Sequence, residues 1–144
     1  MHLLRGEFVR RNTEIDTALT AALPPISGDP VQLQQVLINV LINAMDAVDC
    51  KPQPLRMIRA STRVNGDHAE VEIVDFGQGI TAEDQRRLLE PFFTTKENGL
   101  GLGLSICSTI VQSHRGKLTI ENNKHGGATV VLSFATSDAL VPSP

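Results

Sequence analysis

Apolar positions in this chain follow two rhythms. Between residues 30 and 48, Leu33, Leu37, Val40, Leu41, Ala44 and Val48 recur at helical spacing and make one stripe. Ile38, Ile42 and Met45 fall on the other side, so the predicted helix from Pro30 to about Val48 is apolar over most of its girth. Its polar ridge is narrow: Gln32, Gln35, Asn39, Asn43 and Asp46. A ridge of that kind on a mostly buried helix predicts that it faces a cavity rather than bulk water. Asp29 suits the N-cap and Pro30 the first helical position.

The second rhythm has period two. Arg56–Val64 and Ala69–Asp75 alternate around Val64-Asn65-Gly66-Asp67, and Asn-Gly between alternating strands signals a hairpin. Gly116–Glu121 and Ala128–Phe134 read as a second hairpin through Asn122-Asn123-Lys124-His125-Gly126-Gly127. Thr13–Leu19 alternates as a further strand, behind a short helix over Leu3–Arg11. Thr81-Ala82-Glu83-Asp84 is a variant capping box opening a short helix, and Leu104 to His114 reads as another helix. The order predicts an α+β two-layer sandwich: a mixed, mostly antiparallel sheet of about five strands with about three helices on one face. Residues 1–12 are expected to end a preceding linker or helix, 13–136 to form the domain, and 137–144 to fray.

A chain of 144 residues with 41% hydrophobic content supports one core. The net charge of -3 argues against a nucleic-acid or acidic-membrane surface. Arg10-Arg11 and Arg86-Arg87 are too short to be basic patches, and without Trp or Tyr there is no stacking platform for single strands. Neither Cys50 nor Cys107 has a CxxC or histidine partner, so no metal or disulfide framework is expected and a reducing compartment is the default. No membrane-spanning segment and no signal peptide at Met1-His2-Leu3-Leu4-Arg5 are expected.

Three segments carry candidate chemistry. Asp75 shares a phase with Ala69, Val71 and Ile73, so its carboxylate points toward the core, which is costly unless something donates to it. It either caps the turn at Gly77 or accepts from an exocyclic amine such as adenine N6, a flat base lying against the bare backbone of Gly77 and Gly79. Asn39 and Asn43 stand one turn apart on the ridge; they are surface amides or, since an amide oxygen ligates Mg²⁺ without adding charge beside phosphates, a metal site. Gly99, Gly101 and Gly103 leave amides bare ahead of the Leu104 helix, which makes an anion site. Lys96 is long enough to reach a terminal phosphate or to lie solvated. Phe92 and Phe93 read as packing anchors.

Together these segments resemble the catalytic, ATP-binding domain of bacterial sensor histidine kinases, within the gyrase–Hsp90–kinase–MutL (Bergerat) nucleotide fold. Asn39-x-x-x-Asn43-Ala44 is similar to the N box and Asp75-x-Gly77-x-Gly79 to the first glycine box. Pro91-Phe92-Phe93-Thr94-Thr95-Lys96 is similar to the F box, Asn98-Gly99-Leu100-Gly101-Leu102-Gly103 to the second glycine box, and Gly126-Gly127-Ala128-Thr129 to the third. The five occur in the family's order over roughly residues 13–135. The resemblance implies ATP and Mg²⁺ as cofactors. Asp75 would contact adenine, helped by Thr129 through water, with Gly77, Gly79 and Ile80 beside it. Asn43, with Asn39, would hold Mg²⁺. Phe93, Thr94, Thr95, Lys96, Gly99, Leu100, Gly101, Leu102, Gly103 and Leu104 would form the lid and phosphate cradle, with Lys96 at the γ-phosphate.

Asp46, also placed at the nucleotide, stands where family members often carry Lys or Arg near the phosphates. None of His2, His68, His114 and His125 has the acidic neighbour of a phosphoacceptor histidine. The resemblance therefore implies a kinase half, cytoplasmic and monomeric as a fragment. It would act on a separate phosphoacceptor and dimerisation domain and, through it, a response regulator. Related ATPases of the fold carry a water-activating Glu where Asn39 stands, and Asn cannot serve as that base. An anti-sigma-type serine kinase and a nucleotide-binding module without transferase activity are the alternatives.

Overall fold

Asp29 fixes where the longest helix starts. In the computed structural model, which describes residues 4–52, 55–87 and 103–136, its Oδ1 accepts from the N–H groups of Val31 at 2.9 Å and Gln32 at 3.4 Å. Proline follows at the first helical position, where its missing N–H costs nothing. The helix, α2, runs Pro30–Val48 behind α1 (Arg5–Arg10) and β1 (Glu14–Ala18). Val36, Val40, Met45 and Val48 are the side chains it buries most completely. Met45 therefore belongs to the core stripe, contrary to the periodicity reading, and Val36 leads it. The inward arc is wide enough to take in positions on both sides of the expected stripe.

β2 (Met57–Asn65) and β3 (His68–Asp75) form the first hairpin, and β4 (Gly116–Asn122) and β5 (Ala128–Ala135) the second. Asn65 pairs with His68, so the turn is Gly66-Asp67, one residue later than the Asn-Gly signal suggests. Gly66 takes φ +63°, which suits the first central position of a II′ turn. The sheet order is β1-β2-β3-β5-β4. Only β1 and β2 are parallel, because α2 connects them as a crossover; the other three pairs are antiparallel.

α2 and α4 (Gly103–Ser113) pack on one another and on one face of the sheet. Between them and the strands lie Ile58, Ile73, Leu132, Cys107 and Val111, all nearly or fully buried, and Leu4 and Phe8 bring α1 into the same cluster. α3 (Ala82–Arg87) opens with Asp84 N–H donating to Thr81 Oγ1 at 3.0 Å, the expected cap. The result is an α+β two-layer sandwich. α2 is long and apolar enough by composition to cross a bilayer, which the sequence reading did not anticipate. Here it is the central helix of a folded core.

The opposite face of the sheet is polar. Arg63 bridges Glu70 at 2.8 Å and Glu72 at 2.9 Å across the β2–β3 pair. The carboxylates facing the helices are therefore the exception on this sheet.

Candidate functional site

Asp75 closes β3 on the helix side, two residues after the buried Ile73. It is 6% exposed, and burial pushes its carboxyl above the ordinary value of 3.8, opposed by two amide donors. Those are the N–H groups of Gly77 at 3.0 Å and Ala128 at 3.1 Å, both donating to Oδ1. Oδ2 takes no bond from the described residues. The turn-capping and the ligand-accepting readings are thus compatible: one oxygen anchors the carboxylate and the other is left to accept.

The glycines around it are close-packing positions. A Cβ on Gly77 would overlap the Ala47 carbonyl oxygen of α2 and come 2.6 Å from its carbon. A Cβ on Gly127 would overlap the Asp75 carbonyl oxygen and come 2.5 Å from Oδ1. Gly79 has φ +78°, and a Cβ there would overlap the Gly126 carbonyl. So three backbone segments meet without side chains between them: the end of β3, the last turn of α2, and the β4–β5 turn. Ile80 is fastened to Asn122, which sequence reading treated, like Asn123, only as part of a turn; Gly127 was read as part of the third glycine box but given no role of its own.

Along α2, Asn39, Asn43 and Asp46 are half-buried while Gln32 and Gln35 are exposed, so only the C-terminal part of the ridge is sheltered. Gln35 Nε2 donates to Asn39 Oδ1 at 3.2 Å, and the Asn39 amide also tempers the burial-raised pKa of the Cys107 thiol on α4. Asn43 lies one turn before Ala47, and so next to the segment that meets Gly77. Asp46 carries the guanidinium of Arg11 at 2.6 Å. A basic group does stand at this place, supplied by the segment after α1.

Thr129 is not brought to Asp75. It pairs with Val74 in the β3–β5 register, and paired residues share a face, so it lies on the polar side of the sheet. Ala128 occupies the place on Asp75's face. Gly103 and the half-buried Leu104 open α4 as expected. Phe93, Thr94, Thr95, Lys96, Gly99, Leu100, Gly101 and Leu102 lie outside the described residues, as do 137–144.

The sequence profile described as Histidine kinase-, DNA gyrase B-, and HSP90-like ATPase matches residues 28–138. The chain belongs to this family. Sensor protein FixL of Bradyrhizobium diazoefficiens is 34% identical over 128 residues, covering 89% of this chain and 25% of FixL. The catalytic domain of histidine kinase ThkA in a nucleotide-free form superposes with a TM-score of 0.80 at 27% identity, covering 94% of this chain and 86% of that one. Full-length ShkA in complex with AMPPNP gives 0.77 at 25% identity, covering 94% and 28%. The chain thus spans about a quarter of the length of FixL and ShkA. Membership in this ATPase family makes a nucleotide the ligand class of this domain.

Proposed function

We propose that this chain is the ATP-binding catalytic domain of a sensor histidine kinase. It transfers the γ-phosphoryl group of ATP to a histidine on a phosphoacceptor and dimerisation domain, which then serves a response regulator. The observation that carries the reading is Asp75: a buried carboxylate with Oδ1 held by two backbone amides and Oδ2 available to accept from an adenine amine. The close match to ThkA and the AMPPNP bound to ShkA support the same assignment.

In this reading Gly77, Gly79 and Ile80 wall the base. Asn43, with Asn39 beside it, offers an amide oxygen to Mg²⁺, and no group of three His, Cys, Asp or Glu able to hold a metal occurs among the described residues. The ion would lean on the nucleotide's own oxygens and supply charge neutralisation at the phosphates. The residues from Phe93 through Leu104, with Lys96, are proposed as lid and phosphate cradle. Asn39 supplies no general base for water, so the site favours holding ATP for an imidazole nucleophile over hydrolysing it. The domain is proposed to work in the cytoplasm, monomeric when separate from its dimerisation partner.

Incubation with γ-labelled ATP and a separately supplied histidine-bearing helical domain tests this. Acid-labile label on the second protein is the expected result. Acid-stable label, or none with ATP still bound, would favour the serine kinase or the binding module.

A further inference from the structure

The β4–β5 turn and the loop after β3 are joined by side-chain amides and bare backbone. Asn122 gives a whole amide to one residue: Oδ1 accepts from Ile80 N–H at 2.8 Å, and Nδ2 donates to the Ile80 carbonyl at 2.7 Å. This copies a strand pair at a point where β3 has ended and no strand can satisfy residue 80. Asn123 Nδ2 donates to the Asp75 carbonyl at 3.0 Å, while its Oδ1 accepts from His125 N–H at 2.8 Å and sets the turn. Gly79 rests on Gly126, and Gly127 rests on Asp75. The turn then ends in the Ala128 amide that holds Asp75 Oδ1. Backbone and side chain of Asp75 are both gripped from one turn, some fifty residues away in sequence.

We propose that Asn122 and Asn123 are positioning residues for base recognition: they fix the direction in which Asp75 presents its second oxygen, and so set the preference for a 6-amino purine. The proposal rests on the adenine reading of Asp75. A carboxylate discriminates an amine from a carbonyl or a bare C–H only if its lone pairs are held in place, because a mobile one turns toward water or any available donor. Neither asparagine need touch the nucleotide; both act through Asp75 and Ile80.

The test is calorimetric titration of the full chain with ATP and with purine riboside triphosphate, which lacks only the 6-amino group. The proteins are wild type, Asn122→Ala, Asn123→Ala and Asn122→Asp. ATP affinity is expected to fall about three- to tenfold in each alanine variant, the reach of one hydrogen bond. The amine-free nucleotide is expected to stay within about twofold, so the preference collapses. Asn122→Asp is nearly isosteric and keeps an acceptor for Ile80 N–H, but it sets a carboxylate oxygen against the Ile80 carbonyl, so it should behave like the alanine variant. Equal weakening of both nucleotides means that the asparagines only hold the fold, and it overturns the proposal. A wild-type preference that survives all three substitutions does the same while leaving Asp75 in its role. A wild type with no preference overturns the adenine reading itself, and the positioning role with it, before any variant is compared.

Discussion

Arg11 and Asp46 are 35 residues apart in sequence, yet 2.6 Å separates the guanidinium Nη1 from the carboxylate Oδ1. Arg11 is largely covered, with 18% of its side chain exposed, and Asp49 Oδ2 lies 3.2 Å from the same nitrogen. Its carbonyl is held in turn by Arg56 at 3.0 Å. One arginine thus ties the segment between α1 and β1 to the last turns of α2.

Arg11→Ala should therefore destabilise the domain by about 1 kcal/mol, the upper end for a partly exposed ion pair. Urea unfolding reads the loss. It should shrink at about 1 M salt, where the wild-type pair is itself screened. Asp46→Asn combined with Arg11→Ala should cost less than the sum of the two single changes, because both remove the same contact. An unchanged unfolding midpoint in Arg11→Ala would show that the contact contributes nothing.

Asp75→Asn should separate stability from binding. Burial raises the Asp75 carboxyl above 3.8 in the folded state, so the folded protein binds the proton more tightly than the unfolded chain. Stability from this group is complete below pH 3.8 and is lost as pH rises through the folded value. At pH 7 the ionised carboxylate is a burden on the fold. Asparagine removes that charge while its Oδ1 still accepts from Gly77 and Ala128. The variant should melt higher than wild type at pH 7, and the difference should vanish on acidification. Its ATP affinity should drop by about 1–3 kcal/mol, the cost of a mismatched donor or acceptor. A variant that melts lower at pH 7 would mean that the amide donors outweigh burial.

Most of the architecture was legible because it rests on local signals. The Asp29-Pro30 start, the α2 stripe, both hairpins and the inward phase of Asp75 follow from residues within a few positions of one another. Thr129 was misplaced although the signal was present: Ala128, Val130, Leu132 and Phe134 alternate inward, which leaves Thr129 out of phase. The Asn122–Ile80 and Arg11–Asp46 contacts were not legible. They join residues 42 and 35 positions apart, and no periodicity or turn preference reports which side chain meets which loop. The same holds for Gly77 and Gly127: in sequence the bareness of Gly77 reads as room for a flat base and Gly127 as part of a glycine box, whereas the side where each lacks a Cβ serves close backbone approach, to Ala47 and to Asp75.

Asn43→Ala should lower phosphoryl transfer about 10- to 100-fold, a range that even outer partners of a bound metal command. Binding of nucleotide in EDTA should change far less, because the adenine contact proposed for Asp75 lies on β3 and not on α2. Measuring ATP affinity with and without Mg²⁺ checks the split. Equal losses in both conditions would assign Asn43 to the helix packing and not to the ion.

Two glycine-to-alanine changes should fail for different reasons. Gly66 sits at φ +63° with nothing within 4 Å of a new Cβ, so Gly66→Ala meets only the backbone penalty. That is about 1–2 kcal/mol for a left-handed residue, read as a lower unfolding midpoint. Nucleotide affinity at a temperature where the variant is folded should match wild type, because the β2–β3 turn joins the strands at the ends far from Asp75. At Gly127 the new methyl would overlap the Asp75 carbonyl and crowd Oδ1 at 2.5 Å. Relief requires moving the β4–β5 turn or the end of β3, so Gly127→Ala should cost about 1–3 kcal/mol as overpacking and weaken ATP binding as well. Comparing the two variants at matched folded fractions separates the effects. If Gly127→Ala binds ATP as wild type does, the carboxylate is not held by the turn beneath it, and the geometry of the base contact must be set elsewhere.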